Sequence, residues 1–142
     1  MLPDSPETHV AVAICAAIVL KNFGLAVITA VSRTLGKAYV NPEDARLFGG
    51  LQQLDDRVER VRRAHAHSTE NDYAFLILYV LFLQTGASLF ALQAYGYTYL
   101  LARLAHAACY VLALQPFRTL TFLVGLLATT GVAVQLLMAA FG

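Results

Sequence analysis

Tryptophan is absent, and charge is scarce: Asp, Glu, Lys and Arg make up 13% of the 142 residues, against about 25% in soluble proteins. With 58% hydrophobic residues, so little charge cannot cover a water-facing surface. The composition is that of an all-α integral membrane protein in which the seven Tyr must form any aromatic belt at the interfaces. A formal net charge of +1, with no basic run interleaved with aromatics, excludes nucleic acid as a partner. The two cysteines, Cys15 and Cys109, sit in separate apolar segments without a CxxC mate and read as inert membrane thiols. His65 and His67 are two apart, so they face different sides of a helix, and no histidine lies four away. Zinc is excluded on that spacing. No acid is placed to orient a histidine towards a serine, and no nucleophile elbow is present. The N-terminus lacks the basic region and small-residue cleavage site of a signal peptide, so the first helix is expected to be retained.

Four apolar segments remain, over about 9–33, 64–85, 88–114 and 118–141, with a cytoplasmic loop over about 34–62. They predict a four-helix transmembrane bundle in one domain. The first is interrupted by Lys21, an expensive residue at mid-depth that either pairs within the bundle or serves function. In the loop, Asn41 suits an N-cap, Pro42 the first helical position, and Glu43 and Asp44 the positive end of the helix dipole. Gly49 and Gly50 then end that short element. From 73 to 102 the chain is uncharged. Thirty helical residues would run ~45 Å, more than one crossing of a ~30 Å core, so a break is placed at Thr85-Gly86-Ala87-Ser88. Gln115-Pro116-Phe117-Arg118 reads as the next turn. Seven of the ten basic residues fall between Arg33 and Arg63. This bias puts both termini outside and the loop in the cytoplasm.

The densest polar stretch is 55–70, DDRVERVRRAHAHSTE, with eight formal charges, running straight into the apolar segment. Asp55 and Asp56 would open its helix. On an ideal helix Arg63, His67 and Glu70 fall within about 60° of arc, as do Arg103, His106 and Tyr110. Counting back about 20 residues from Thr85 puts the inner boundary near Ala66, so His67 and Glu70 must face protein or a water-filled cavity. Pairing of Glu70 with Arg103 or Arg63 would be ordinary bundle glue. Six polar residues at matched depth, with Arg33 and Arg118 nearby, exceed that need and suggest a pocket. The excess of arginine suggests an anionic ligand. A proton relay through His106, Glu70 and Tyr110 is the physical alternative, although four spans without an internal repeat do not suit a transporter.

DDRVERVRRAH with Glu70-Asn71 beyond it, NPED in the loop, ARxxH on the third segment and QPxRxLxFxVG on the fourth resemble the MAPEG superfamily, the membrane-associated proteins in eicosanoid and glutathione metabolism. The similarity runs from about Lys21 to the fourth segment. It is nearest the microsomal glutathione transferase branch, with the membrane prostaglandin E synthase next. The resemblance implies a homotrimer of four-helix subunits that holds glutathione between neighbours near the cytoplasmic face. It assigns Arg33, Arg63, His67, Glu70, Arg103, His106 and Tyr110 to binding the tripeptide. Arg118, helped by Thr119, would stabilise the thiolate, and Asp44 matches an acid used by some members in isomerase or proton-transfer chemistry. His67 stands where the family usually has Asn, which replaces an amide by a group that titrates near neutral pH. Ala66 lacks the arginine of the prostaglandin synthase, and Phe122 agrees with the transferase branch.

The resulting expectation is a membrane-bound glutathione S-transferase with a role in detoxification. Glutathione thiolate would attack an apolar electrophile, or reduce a lipid hydroperoxide in a peroxidase reaction, with the second substrate entering from the bilayer. A glutathione-dependent isomerase resembling prostaglandin E synthase and a non-catalytic lipid-binding scaffold are the alternatives. Short connections and no retrieval signal lean towards a bacterial inner membrane rather than the endoplasmic reticulum, with the glutathione site on the cytoplasmic side.

Overall fold

The computed structural model describes residues 4–50 and 56–142. Asp55 lies outside the described residues. Among the described residues five helices follow in order: α1 (Pro6–Leu35), α2 (Pro42–Phe48), α3 (Asp56–Gln84), α4 (Leu89–Val111) and α5 (Phe117–Phe141). No strand occurs among the described residues.

Local chemistry sets most helix ends. The Ser5 side chain accepts from the Thr8 amide at 3.2 Å, and Pro6 occupies the first turn, where a missing N–H costs nothing. This cap starts α1 a few residues earlier than hydropathy alone suggests. Asn41 holds the N-cap position of α2, but its side chain donates to Asp44 at 3.2 Å rather than capping the backbone. Helices α3 and α4 are joined across Thr85–Ser88, where the uncharged stretch was expected to break. Gly86 there has φ 76°, a conformation open to glycine without strain, and Ser88 caps α4 by accepting from the Ala91 amide at 3.3 Å. Helix α5 begins at Phe117, so Arg118 lies in its first turn and not in the preceding loop. The Gln115–Pro116 peptide is cis.

Helix α3 has 29 residues, about 43 Å at 1.5 Å each, longer than a ~30 Å hydrocarbon core. Its first turns bury Val58 and Val61 and turn their polar residues outward, with Glu59 and Arg62 in a two-pronged contact at 2.9 and 2.8 Å. Arg62's hydrogen bond holds the Glu59 carboxyl below the usual carboxylate range.

Helix α1 packs on α3 and α4, and α5 covers α4 and part of α3. The centre is aromatic: the Phe75 and Tyr99 rings stack at 3.7 Å between centroids, and Tyr79 donates its hydroxyl to the Leu92 carbonyl at 2.7 Å. Ile14, Ile18, Leu92 and Val132 fill the space around them. The outside is apolar, with Leu20, Phe23, Val27, Leu127 and Met138 all exposed. Among the described residues, α1 and α5 are long and apolar enough to cross a membrane.

Candidate functional site

Helix α3 sorts its polar residues by angle. Ser68 and Asp72 continue the buried stripe of Phe75, Tyr79 and Phe82, at the i, i+3/i+4 spacing that lines one face. His67 stands at the edge of that stripe, half-buried, while Arg63 and Glu70 lie further round and are exposed. The triplet Arg63, His67, Glu70 therefore shares a face as the spacing predicts, but only His67 reaches the bundle.

Beneath it is a polar network of which the sequence reading held only Lys21, as a residue that pairs within the bundle or serves function. Lys21 Nζ lies 2.6 Å from Asp72 Oδ2, with side chains 4% and 0% exposed, and Lys21 also donates to the Ser68 hydroxyl. Ser68 Oγ donates to Asp72 Oδ2 at 3.1 Å, and the Tyr99 hydroxyl donates to Asp72 Oδ1 at 2.8 Å. One carboxylate thus ties α1, α3 and α4 together. Lys21 is a bundle residue, and its charge is matched.

Arg103 sits directly above this network. It is 2% exposed, its guanidinium lies 5.2 Å from the ring centres of both Tyr99 and Phe122, and Nη2 donates to Asn71 Oδ1 at 2.9 Å. Arg103 therefore pairs with an amide, and not with Glu70. A Cβ on Gly125 would stand 2.9 Å from Arg103 Nε, so that glycine leaves the space in α5 that the guanidinium uses. Nε and Nη1 are buried with no acceptor among the described residues. Each such donor costs about 1–3 kcal/mol, and a cation whose nearest partner is neutral suits an anionic ligand.

Next to Arg103, His67, His106, Tyr110, Arg118, Thr119 and Phe122 line one cavity of 230 Å³. His106, 5% exposed, has Nδ1 2.9 Å from the carbonyl oxygen of Arg118. Its ring centre lies 5.1 Å from that of His67. Arg118 rests on Tyr110, 4.8 Å from the ring centre. With the Gln115 amide turned to satisfy its neighbours, its oxygen accepts from Arg118 Nε at 3.0 Å. The guanidinium is thus braced from two sides at the cavity wall, beside the Thr119 hydroxyl.

The remaining candidates lie elsewhere. Arg33 at the end of α1 pairs with Asp44 on α2, Nη2 to Oδ2 at 3.1 Å. That contact joins the two elements, and neither residue lines the cavity of Arg118. Sequence reasoning missed Asp72, Asn71 and Tyr99. The buried stripe was the available signal, since Ser68 and Asp72 precede Phe75 in helical register.

The family model for the MAPEG family matches residues 11–138. Prostaglandin E synthase of Equus caballus is 37% identical over 122 residues, covering 84% of this chain and 80% of that protein. Microsomal glutathione S-transferase 1 of Bos taurus is 35% identical over 139 residues, covering 92% and 90%. The Homo sapiens protein of the same name is 36% identical over the same length and shares.

Proposed function

This chain belongs to the MAPEG family, and from that premise we propose that it is a membrane-bound glutathione S-transferase. The observation that carries the reading is a cavity walled by Arg118, with the buried Arg103 packed against Phe122 of the same wall. Arg103 is buried with unpartnered donors, and Arg118 is braced on Tyr110 beside Thr119.

Glutathione carries two carboxylates and a net negative charge, so several arginines and an acid for its amine suit it. Its thiol must ionise to attack, and a cation within hydrogen-bond distance lowers a thiol pKa. Arg118 supplies that cation, the Thr119 hydroxyl a further donor, and His106, Tyr110 and Arg103 hold the peptide. Arg63 and Glu70 face outward from their own bundle. They complete the site in a homotrimer, where a neighbouring copy forms the second wall. Arg33 lies outside this cavity and adds positive charge at the cytoplasmic end of the assembly, and Asp44 pairs with it, available for proton transfer in an isomerase reaction. All four long helices cross the bilayer in this assembly, as one domain with the 34–62 loop in the cytoplasm. The short connections between helices suit a bacterial inner membrane as the host.

The thiolate attacks an apolar electrophile arriving from the lipid: an activated halide, an unsaturated carbonyl or a lipid hydroperoxide. Detoxification is the corresponding cellular role. A glutathione-dependent isomerase is the second reading, favoured by the likeness to prostaglandin E synthase. Assay of the purified protein with glutathione against those three electrophiles and a lipid endoperoxide separates them. Conjugation or peroxide reduction is expected. Isomerisation alone would install the second reading, and bound lipid with no turnover would make the chain a scaffold.

A further inference from the structure

We propose that His67 and His106 form a proton-transfer pair held in opposite tautomers. His106 Nε2 takes the thiol proton of glutathione, and His67 Nε2–H steadies the thiolate. This rests on the glutathione reading above and adds to it the destination of the proton. Arginine is always protonated, so Arg118 can stabilise a thiolate but cannot accept its proton.

The tautomers follow from the partners. His106 Nδ1 lies 2.9 Å from the Arg118 carbonyl oxygen. A carbonyl only accepts, so Nδ1 carries hydrogen, and in the neutral ring Nε2 is then a bare acceptor. That nitrogen is buried and has no partner among the described residues. His67 is set the other way by Asn71. The Asn71 amide accepts from Arg103 through Oδ1 at 2.9 Å and donates through Nδ2 to the His67 carbonyl at 2.7 Å. This fixes which end faces the His67 ring: Nδ2 lies 3.4 Å from Nδ1. Two N–H groups would repel there, so Nδ1 accepts and the proton resides on Nε2. The two rings, 5.1 Å apart, share the cavity wall with Arg118 and Thr119. The charged groups around the pair are Arg103 on α4, Arg118 on α5 and Glu70 on α3, and Tyr110 is the remaining titratable neighbour.

Protons and electrons balance. The S–H bond breaks with its pair left on sulfur, and the proton moves to His106. With an unsaturated carbonyl, sulfur bonds the β-carbon and the π pair moves to the carbonyl oxygen. The His106 proton then returns to the α-carbon. With an activated halide, the S–C bond forms as the carbon–halogen pair leaves with the halide, and the His106 proton passes to water.

The test counts thiolate and protons together, in weakly buffered detergent solution near neutral pH. Ultraviolet absorbance reads the thiolate and an indicator dye reads released protons, with S-methylglutathione as the thiol-free baseline. We expect far fewer protons than thiolates, and a ratio near one in His106→Gln. One proton per thiolate in the native protein would overturn the role of the pair while leaving the glutathione reading intact. Absence of thiolate would overturn that reading and this one with it. Independently of folding in the variant, [15N]histidine spectra of the native protein should show hydrogen on Nδ1 of His106 and Nε2 of His67, and the reverse pattern would contradict the proposal.

Discussion

Lys21 Nζ and Asp72 Oδ2 meet at 2.6 Å across 51 residues of sequence, both side chains almost wholly buried. Pairing lets α1 carry a charge at mid-depth, where an isolated ammonium would be expensive. It also fixes the height of α3 against α1. Through the Tyr99 hydroxyl the same carboxylate orients the ring on which Arg103 rests.

Breaking that pair from one side leaves a buried charge. Asp72→Ala should lower stability by about 3–5 kcal/mol, read as thermal unfolding followed by helicity in detergent. Replacing both members, Lys21→Met with Asp72→Leu, should restore most of the loss, because a well-packed apolar pair often matches a buried ion pair. A double variant as unstable as Asp72→Ala would contradict this account of the network.

The space opposite Arg103 gives a more local test. Gly125→Ala puts a methyl 2.9 Å from Nε, and the guanidinium is confined by two rings, so it must shift. Glutathione affinity should fall about tenfold, roughly 1.4 kcal/mol, measured by titration calorimetry, with helicity unchanged. Full affinity in Gly125→Ala would remove Arg103 from the binding site.

Much of the architecture was legible because helix ends are local chemistry. Asn41-Pro42 and Gly86 followed by Ser88 each announce a boundary within a few residues, whereas the Ser5 cap of α1 went unread. Pairings across the bundle are different. Lys21 was visible as an anomaly, but its partner Asp72 lies just beyond the 55–70 polar stretch and was not singled out. Only the register of Ser68 and Asp72 with Phe75 and Tyr79 separates the buried acid from the exposed one. The site divided in a related way. His67, His106, Tyr110, Arg118 and Thr119 come together, whereas Arg63 and Glu70 point outward because 60° of arc spans the boundary between a buried and an open face.

At the solvated start of α3, Arg62 holds the Glu59 carboxyl below its usual range. A depressed folded-state pKa stabilises above the unfolded pKa, and this is lost as pH falls through the folded one. Native protein and Glu59→Gln should thus differ slightly in thermal stability at neutral pH and converge in acid. The pair is exposed, so the difference is small. A gap that widens in acid would contradict the sign.

Thr119 and Arg118 separate by chemistry. Thr119→Val removes one neutral donor and should slow conjugation modestly. Arg118→Lys keeps charge but loses the planar fork and its seat on Tyr110, so it should recover only part of the rate. Steady-state rates at saturating glutathione measure both. A lysine variant as active as the native protein would reduce Arg118 to a point charge.

The central claim is that Arg118 makes a glutathione thiolate in this cavity. Its most direct measurement is the ultraviolet thiolate absorbance of purified protein on mixing with glutathione, beside Arg118→Ala at equal occupancy. We predict a thiolate signal in the native protein and its loss in the variant, with conjugation falling about 10²–10³-fold and assembly unchanged. An equal thiolate signal in Arg118→Ala would contradict the account.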